Sequence, residues 1–267
     1  SHGSQRWISI GPFSLQPSEL AKIGIILFLA AYISSKSREM RQWKKMVIPF
    51  LFAIPIIVIV GIENLSTCII LLAISFIMIF VATPLWVPFV VIGLIGVAGA
   101  GGLLLTQGYR MERITVWLDP AASEKGHQTI QGLYAIGSGG LFGKGLGQSM
   151  QKLGFLPEAN NDMIFSVICE ELGLFGALCV LALFFALIWR FMVIAVNAPD
   201  LYGSMIVVGV IAHIGIQVFI NIAVATNTIP NTGIPLPFIS YGGSSLVFML
   251  LEMGLVLSVS RYINVKK

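Results

Sequence analysis

Apolar residues run through this chain in blocks too long for a soluble core. Seven segments stand out: 17–34, 46–61, 65–83, 85–105, 163–189, 202–226 and 241–260. A helix needs about 20 such residues to cross a bilayer. Each block therefore predicts a membrane span. The second and third are parted by little more than "IEN", residues 62–64. No period-two alternation suggests a β-barrel. The predicted fold class is all-α, a polytopic transmembrane helix bundle forming a single membrane domain. The polar stretch 106–162 interrupts the pattern as one 57-residue loop. Loops beyond about 15 residues are usually functional or disordered. This one is not low in complexity. "GYRMERITVWLDP" and "HQTIQGLYAI" read as short interfacial helices.

Composition sharpens that picture. Hydrophobic residues make up 57% and charged residues only 10%, against about 25% charged in soluble domains. Mean hydropathy is +0.91. A net charge of +4 from so few charges gives no reason to expect nucleic acid. Position matters more. The 35–46 loop carries Lys36, Arg38, Arg41, Lys44 and Lys45 against Glu39, which places it in the cytoplasm. Alternation then puts 1–16, 106–162 and 227–240 outside, and the basic tail inside. The first residues would lie outside with no signal peptide before them. The chain thus reads as a fragment lacking upstream helices. Cys68, Cys169 and Cys179 all lie in apolar segments and read as small hydrophobes. The three histidines make no zinc pattern.

Polar residues stand where lipid should be. Gln16, Glu19 and Lys22 recur at a spacing of three, on one face of the first span. They form either a capped helix start with an ion pair or part of a cavity. His213, Gln217 and Asn221 share a face of the sixth span. Interhelical bonding and cavity lining both fit them. The segment "NTIPNTGIPLPFISYGGSS", with Ser240, Gly242 and Gly243, suits a rigid cap over a cavity. Asp162 stands at the outer start of the fifth span, as a helix cap or as a reactive carboxylate. Gln16, Glu19, Lys22 and Asp162 are all expected near the outer interface. Glu170 and Glu171 lie about two turns deeper and are expected to pair within the bundle, and Glu252 to pair in the last span. The run "GSGGLFGKGLG" fails the nucleotide patterns, because Ser138 and Gly145 occupy places that need Gly and Ser or Thr. No nucleotide cofactor is expected. Its amides with Lys144 suit a lipid phosphate, and a flexible hinge suits it equally.

Five stretches carry a resemblance: "RWISIGPFSLQPSELAK", "YRMERITVWLDP", "AIGSGGLFGKGLGQS", "LPEANNDMIFSVICEELG" and "TGIPLPFISYGGSS". Here the chain resembles the SEDS family of shape, elongation, division and sporulation proteins (RodA, FtsW and SpoVE), nearest the FtsW/SpoVE branch. The resemblance spans nearly the whole chain. It departs at "IENLSTC", His127 and Met163. It implies ten helices, of which these would be the fourth to tenth. It also implies a peptidoglycan glycosyltransferase of the bacterial cytoplasmic membrane, polymerising lipid II at the outer face and paired with a class B penicillin-binding protein. The family's essential aspartate matches Asp162, and its characteristic Gln, Glu and Lys match Gln16, Glu19 and Lys22.

The mechanism expected is inverting glycosyl transfer. A sugar hydroxyl attacks a lipid-linked donor and undecaprenyl pyrophosphate leaves. A carboxylate base speeds such an attack by about 10²–10⁴-fold, and Asp162 is the candidate. Lys22, Arg110, Arg113 or a divalent Mg or Mn ion would stabilise the pyrophosphate. Asp162 is alternatively that ion's ligand. Substrate contacts are further expected from Gln16, Lys144, Gln217, Asn221, Ser240, Gly242 and Gly243. The competing readings are a lipid-linked-precursor flippase and a non-catalytic division scaffold.

Overall fold

The computed structural model describes residues 8–10, 13–83, 89–91, 93, 108–123 and 126–263. A short antiparallel hairpin, β1 (Ile8–Ile10) with β2 (Phe13–Leu15), pairs Ile8 with Leu15. The remaining regular elements among the described residues are helical: α1 (Pro17–Ser35), α2 (Trp43–Glu63), α3 (Leu65–Ala82), α4 (Gly108–Leu118), α5 (His127–Gly139), α6 (Ile164–Asn197), α7 (Leu201–Ala225) and α8 (Gly243–Arg261), with short 3₁₀ turns between some of them. Six of these are long and apolar enough to span a membrane. The expected 85–105 span falls largely outside the described residues; within it, 89–91 and 93 are helical. The interfacial helices expected in the 106–162 loop are α4 and α5.

Local chemistry explains the boundaries. Pro17 opens α1, where a missing N–H costs nothing. Asn64 ends α2 and begins α3, and its side chain accepts from the Ser66 and Thr67 amides. A single cap thus replaces a loop. Pro49 and Pro55 lie inside α2, as neighbouring groups in membrane helices permit.

The chain divides into two compact units. The first comprises 1–91, 187–216 and 242–267. Ile25, Ile26, Leu29 and Ile33 of α1 are buried there, as are Ile70, Leu71, Ile74 and Met78 of α3. A Cβ on Gly209 of α7 would stand 2.6 Å from an Ile26 methyl, so the glycine lets α7 approach α1. At the basic turn, Glu39 lies 3.2 Å from both Lys36 and Lys45. Lys36, then Lys45, holds its carboxyl below the usual range.

The second unit comprises 92–186 and 217–241. Its central feature is a broken helix. The fifth span was expected at 163–189; α6 continues to Asn197, beyond Arg190, and is interrupted at Gly173, with φ 67° and ψ −167°. The break frees backbone groups at membrane depth, where each must find a partner. The glycine-rich loop supplies them. The Lys144 and Gly145 amides donate to the Glu170 and Glu171 carbonyls, and the Gly140 and Leu141 carbonyls accept from the Leu174 and Phe175 amides, all at 2.9–3.0 Å. Gly143 and Gly173 must both lack side chains. A Cβ would stand 2.2 Å from the Glu171 carbonyl in the first case and 2.4 Å from the Gly143 nitrogen in the second. The phosphate and hinge readings of this loop are thereby corrected: its amides patch a helix.

Candidate active site around Asp162

Asp162 is positioned by its main chain. Three consecutive carbonyls, at Asn160, Asn161 and Asp162, are each taken by a separate donor. The Tyr241 amide donates to Asn160 at 2.8 Å. The Ser240 hydroxyl donates to Asn161 at 2.6 Å and accepts from the Leu236 amide at 2.7 Å. Asn221 of α7, fully buried, donates from Nδ2 to Asp162 at 2.8 Å and to Ile234 at 2.9 Å. The proline-bearing 227–241 segment is thus bolted to the "NND" turn. Leu156, Ala159, Met163 and Val167 pack beneath that turn. Three non-glycine residues around it, Glu158, Asn227 and Phe238, have positive φ. Such backbone strain gathers at functional loops.

Asp162 is 7% exposed. Its carboxylate accepts from the Gln128 side-chain Nε2 of α5 at 3.3 and 3.5 Å. Helix α6 starts at Ile164, and the Ser166 amide is taken by the Met163 carbonyl. No helical N–H donates to Asp162 among the described residues, so the capping reading gains no support. Burial pushes the carboxyl from its ordinary 3.8 up to about 6, and Glu158 adds to this. Its own N–H, Gln128 and the Arg113 guanidinium oppose it. At neutral pH the group is ionised, yet more basic than a free aspartate. That is the tuning a general base needs.

Further contacts tie the surrounding segments together. Arg113 Nη1 donates to the Asn231 carbonyl at 3.2 Å, and Trp117 Nε1 to the Asn227 carbonyl at 2.9 Å. Asn231 Nδ2 donates to Gln128 Oε1 at 3.1 Å. Gln128, Asn231 and Trp117 were not foreseen. Arg110 sits on α4, but its side chain lies outside the described residues. Lys144 is engaged at 2.6 Å by Glu170, which also accepts from Ser149, Ser138 and the Met150 and Gln151 amides. Glu171 holds Lys152 at 2.6 Å. The two deep carboxylates therefore pair internally, and the Lys144 ammonium serves Glu170 instead of standing free for a phosphate. Ser240, too, is committed to main-chain partners. Gln217 is buried, with Oε1 unpaired among the described residues.

Glu19 and Lys22 belong to the first unit, with Gln16 as the residue before α1. They form a buried ion pair of 2.8 Å, with 7% and 1% of each side chain exposed. Gly242 and Gly243 also lie in that unit, at the start of α8. There too His213 Nδ1 meets both Glu252 oxygens at 2.9 Å, supplying the partner expected for Glu252. As a protein-built metal site the Asp162 neighbourhood does not fit. Among the described residues no three His, Cys, Asp or Glu side chains gather to hold an ion, and the Asp162 oxygens face an amide donor.

The family model described as "Cell cycle protein", for FtsW, RodA and SpoVE, matches residues 1–265. The chain belongs to the FtsW/RodA/SpoVE family. It is 48% identical to stage V sporulation protein E of Bacillus subtilis (strain 168), over 98% of this chain and 72% of that protein. It is 37% identical to a probable peptidoglycan glycosyltransferase FtsW of Geobacter sp. (strain M18), over 97% of this chain and 71% of that one. Among solved structures, a chain from "Structural coordination of polymerization and crosslinking by a peptidoglycan synthase complex" aligns with TM-score 0.80 and 28% identity, over 99% of this chain and 75% of that one. The rod shape determining protein RodA of Thermus thermophilus aligns with TM-score 0.68 and 29% identity, over 99% and 71%. Like its FtsW/RodA/SpoVE relatives, the chain is an integral membrane protein with a polytopic helical fold.

Proposed function

We propose that this chain is a peptidoglycan glycosyltransferase that polymerises lipid II, with Asp162 as its general base. One observation carries the reading. A buried carboxylate with a raised pKa is held by three main-chain bonds at the end of a loop, in a family whose relatives include a probable peptidoglycan glycosyltransferase. The acceptor sugar hydroxyl attacks the anomeric carbon of a lipid-linked donor. Its proton passes to Asp162 as the new C–O bond forms. The bond to undecaprenyl pyrophosphate breaks on the opposite face, so the configuration inverts. Arg113, whose charge already reaches Asp162, is the cation assigned to the departing pyrophosphate. Glu19 and Lys22 are assigned to the same reaction from the family resemblance. An Mg or Mn ion would be carried by the substrate's own pyrophosphate oxygens and would offset their charge there.

The orientation assigned is that of a bacterial cytoplasmic membrane protein with residues 106–162 outside. The partner assigned is a class B penicillin-binding protein, in keeping with the solved peptidoglycan synthase complex. Purified protein given labelled lipid II tests the function. Glycan chains support it. Leaflet exchange without chains makes the protein a flippase, and neither outcome leaves a scaffold.

A further inference from the structure

A chain of hydrogen bonds beside Asp162 has a fixed polarity. The Gly233 backbone amide donates to Asn231 Oδ1 at 3.0 Å. A backbone N–H only donates, so this contact identifies the Asn231 oxygen. The other end of that side chain is therefore Nδ2, which donates to Gln128 Oε1 at 3.1 Å. Gln128 then has only its Nε2 to offer Asp162, at 3.3 and 3.5 Å from the two carboxylate oxygens. Side-chain amides are normally oriented by their partners; here the orientation starts from a main-chain atom. Arg113, on the Asn231 carbonyl at 3.2 Å, anchors the same residue from α4.

The main-chain bonds at Asn160, Asn161 and Asp162 fix where the turn lies. They leave the rotation of the Asp162 carboxylate free. Gln128 is the described side chain that donates to it, and Gly233 lies within van der Waals reach of it. A Cβ at Gly233 would stand 3.9 Å from Oδ2, and its φ of +68° disfavours any side chain.

We propose that Gln128 is a positioning residue for glycosyl transfer, turned by Asn231 so that it holds the Asp162 carboxylate as an acceptor facing the sugar hydroxyl. Gln128 itself takes no proton. The proposal rests on Asp162 being the base. Its test uses the purified protein in proteoliposomes with lipid II, and compares Gln128→Leu, Asn231→Asp, the double variant and Asp162→Asn. Losing a bond to a charged group in Gln128→Leu lowers kcat by roughly 10–100-fold, with KM little changed. Asn231→Asp sets an oxygen against Gln128 Oε1, so the amide turns over and presents its own oxygen to Asp162. A comparable loss of kcat follows, although residue 231 makes no bond to Asp162. In the double variant the loss does not exceed that of Gln128→Leu, because the effect of Asn231 runs through Gln128. A purely structural role gives losses that multiply. Should Gln128→Leu not fold, Gln128→Glu keeps the shape and the acceptor for Asn231 but places an acid on Asp162; a kcat lost with KM retained supports the proposal. Near wild-type kcat in folded Gln128 variants, or multiplying losses, overturns it. An inactive Asp162→Asn beside a fully active Gln128→Leu removes this proposal alone; a fully active Asp162→Asn removes the base reading with it.

Discussion

Replacing Asp162 by Asn has a consequence for stability that activity does not reveal. The carboxyl rises from 3.8 to about 6 on folding, chiefly through burial. One pKa unit is worth about 1.4 kcal/mol, so ionising this group costs the folded state roughly 3 kcal/mol at neutral pH. The sign follows from linkage. Below the unfolded value both states hold the proton and no cost arises. As pH rises from about 4 to about 6 the unfolded chain ionises first and stability falls. Above that the cost is constant. Asp162→Asn has no such titration. Its amide oxygen still accepts from Gln128, so the variant should be more stable than wild type at pH 7.5, by an amount on the order of 2–3 kcal/mol. The difference should shrink towards pH 4. Thermal unfolding in nanodiscs across that range reads it directly. A variant less stable than wild type at pH 7.5, or a difference independent of pH, would show that ionised Asp162 carries no such burial cost.

Three further outcomes follow from the packing. Lys22→Met strands the buried Glu19 charge and should cost about 3–5 kcal/mol, whereas Glu19→Leu with Lys22→Met should restore much of it; thermal midpoints of the three proteins decide. Gly173→Ala drives a Cβ into the Gly143 nitrogen and the Leu141 carbonyl, so it should detach the 140–145 loop and raise hydrogen exchange at the Leu174 and Phe175 amides. Asn221→Leu leaves two carbonyls unpaired and should cost about 1–3 kcal/mol for each in buried surroundings, with protease cleavage of 227–241 reporting the loosened cap.

Six of the seven expected spans were legible, because membrane helices declare themselves by length and hydropathy alone; the 85–105 span lies largely outside the described residues. Asn64 also marked the α2–α3 junction at the sequence stretch that parted them. Two features were not legible. The break at Gly173 depends on a loop 30 residues earlier closing on it, and no local pattern encodes that pairing. The glycines of 137–147 looked like a ligand loop because glycine serves close approach to any backbone, whether of a ligand or of the protein itself. At the site, Asp162, Asn221 and Ser240 were singled out as polar residues in apolar or capping positions. Gln128 and Asn231 were missed since they lie in polar segments, where an amide carries no signal until the fold sets it against a carboxylate.

In the proposed mechanism Asp162 removes the proton from the attacking sugar. The most direct measurement is lipid II polymerisation by purified wild type and Asp162→Asn, at equal folded concentration and with any penicillin-binding protein partner shown to bind both. Wild type should make glycan chains, and the variant should lose at least about 10²-fold in their synthesis. Near wild-type glycan synthesis by Asp162→Asn would contradict this mechanism and send the search for the base to the other polar residues of the 106–161 loop.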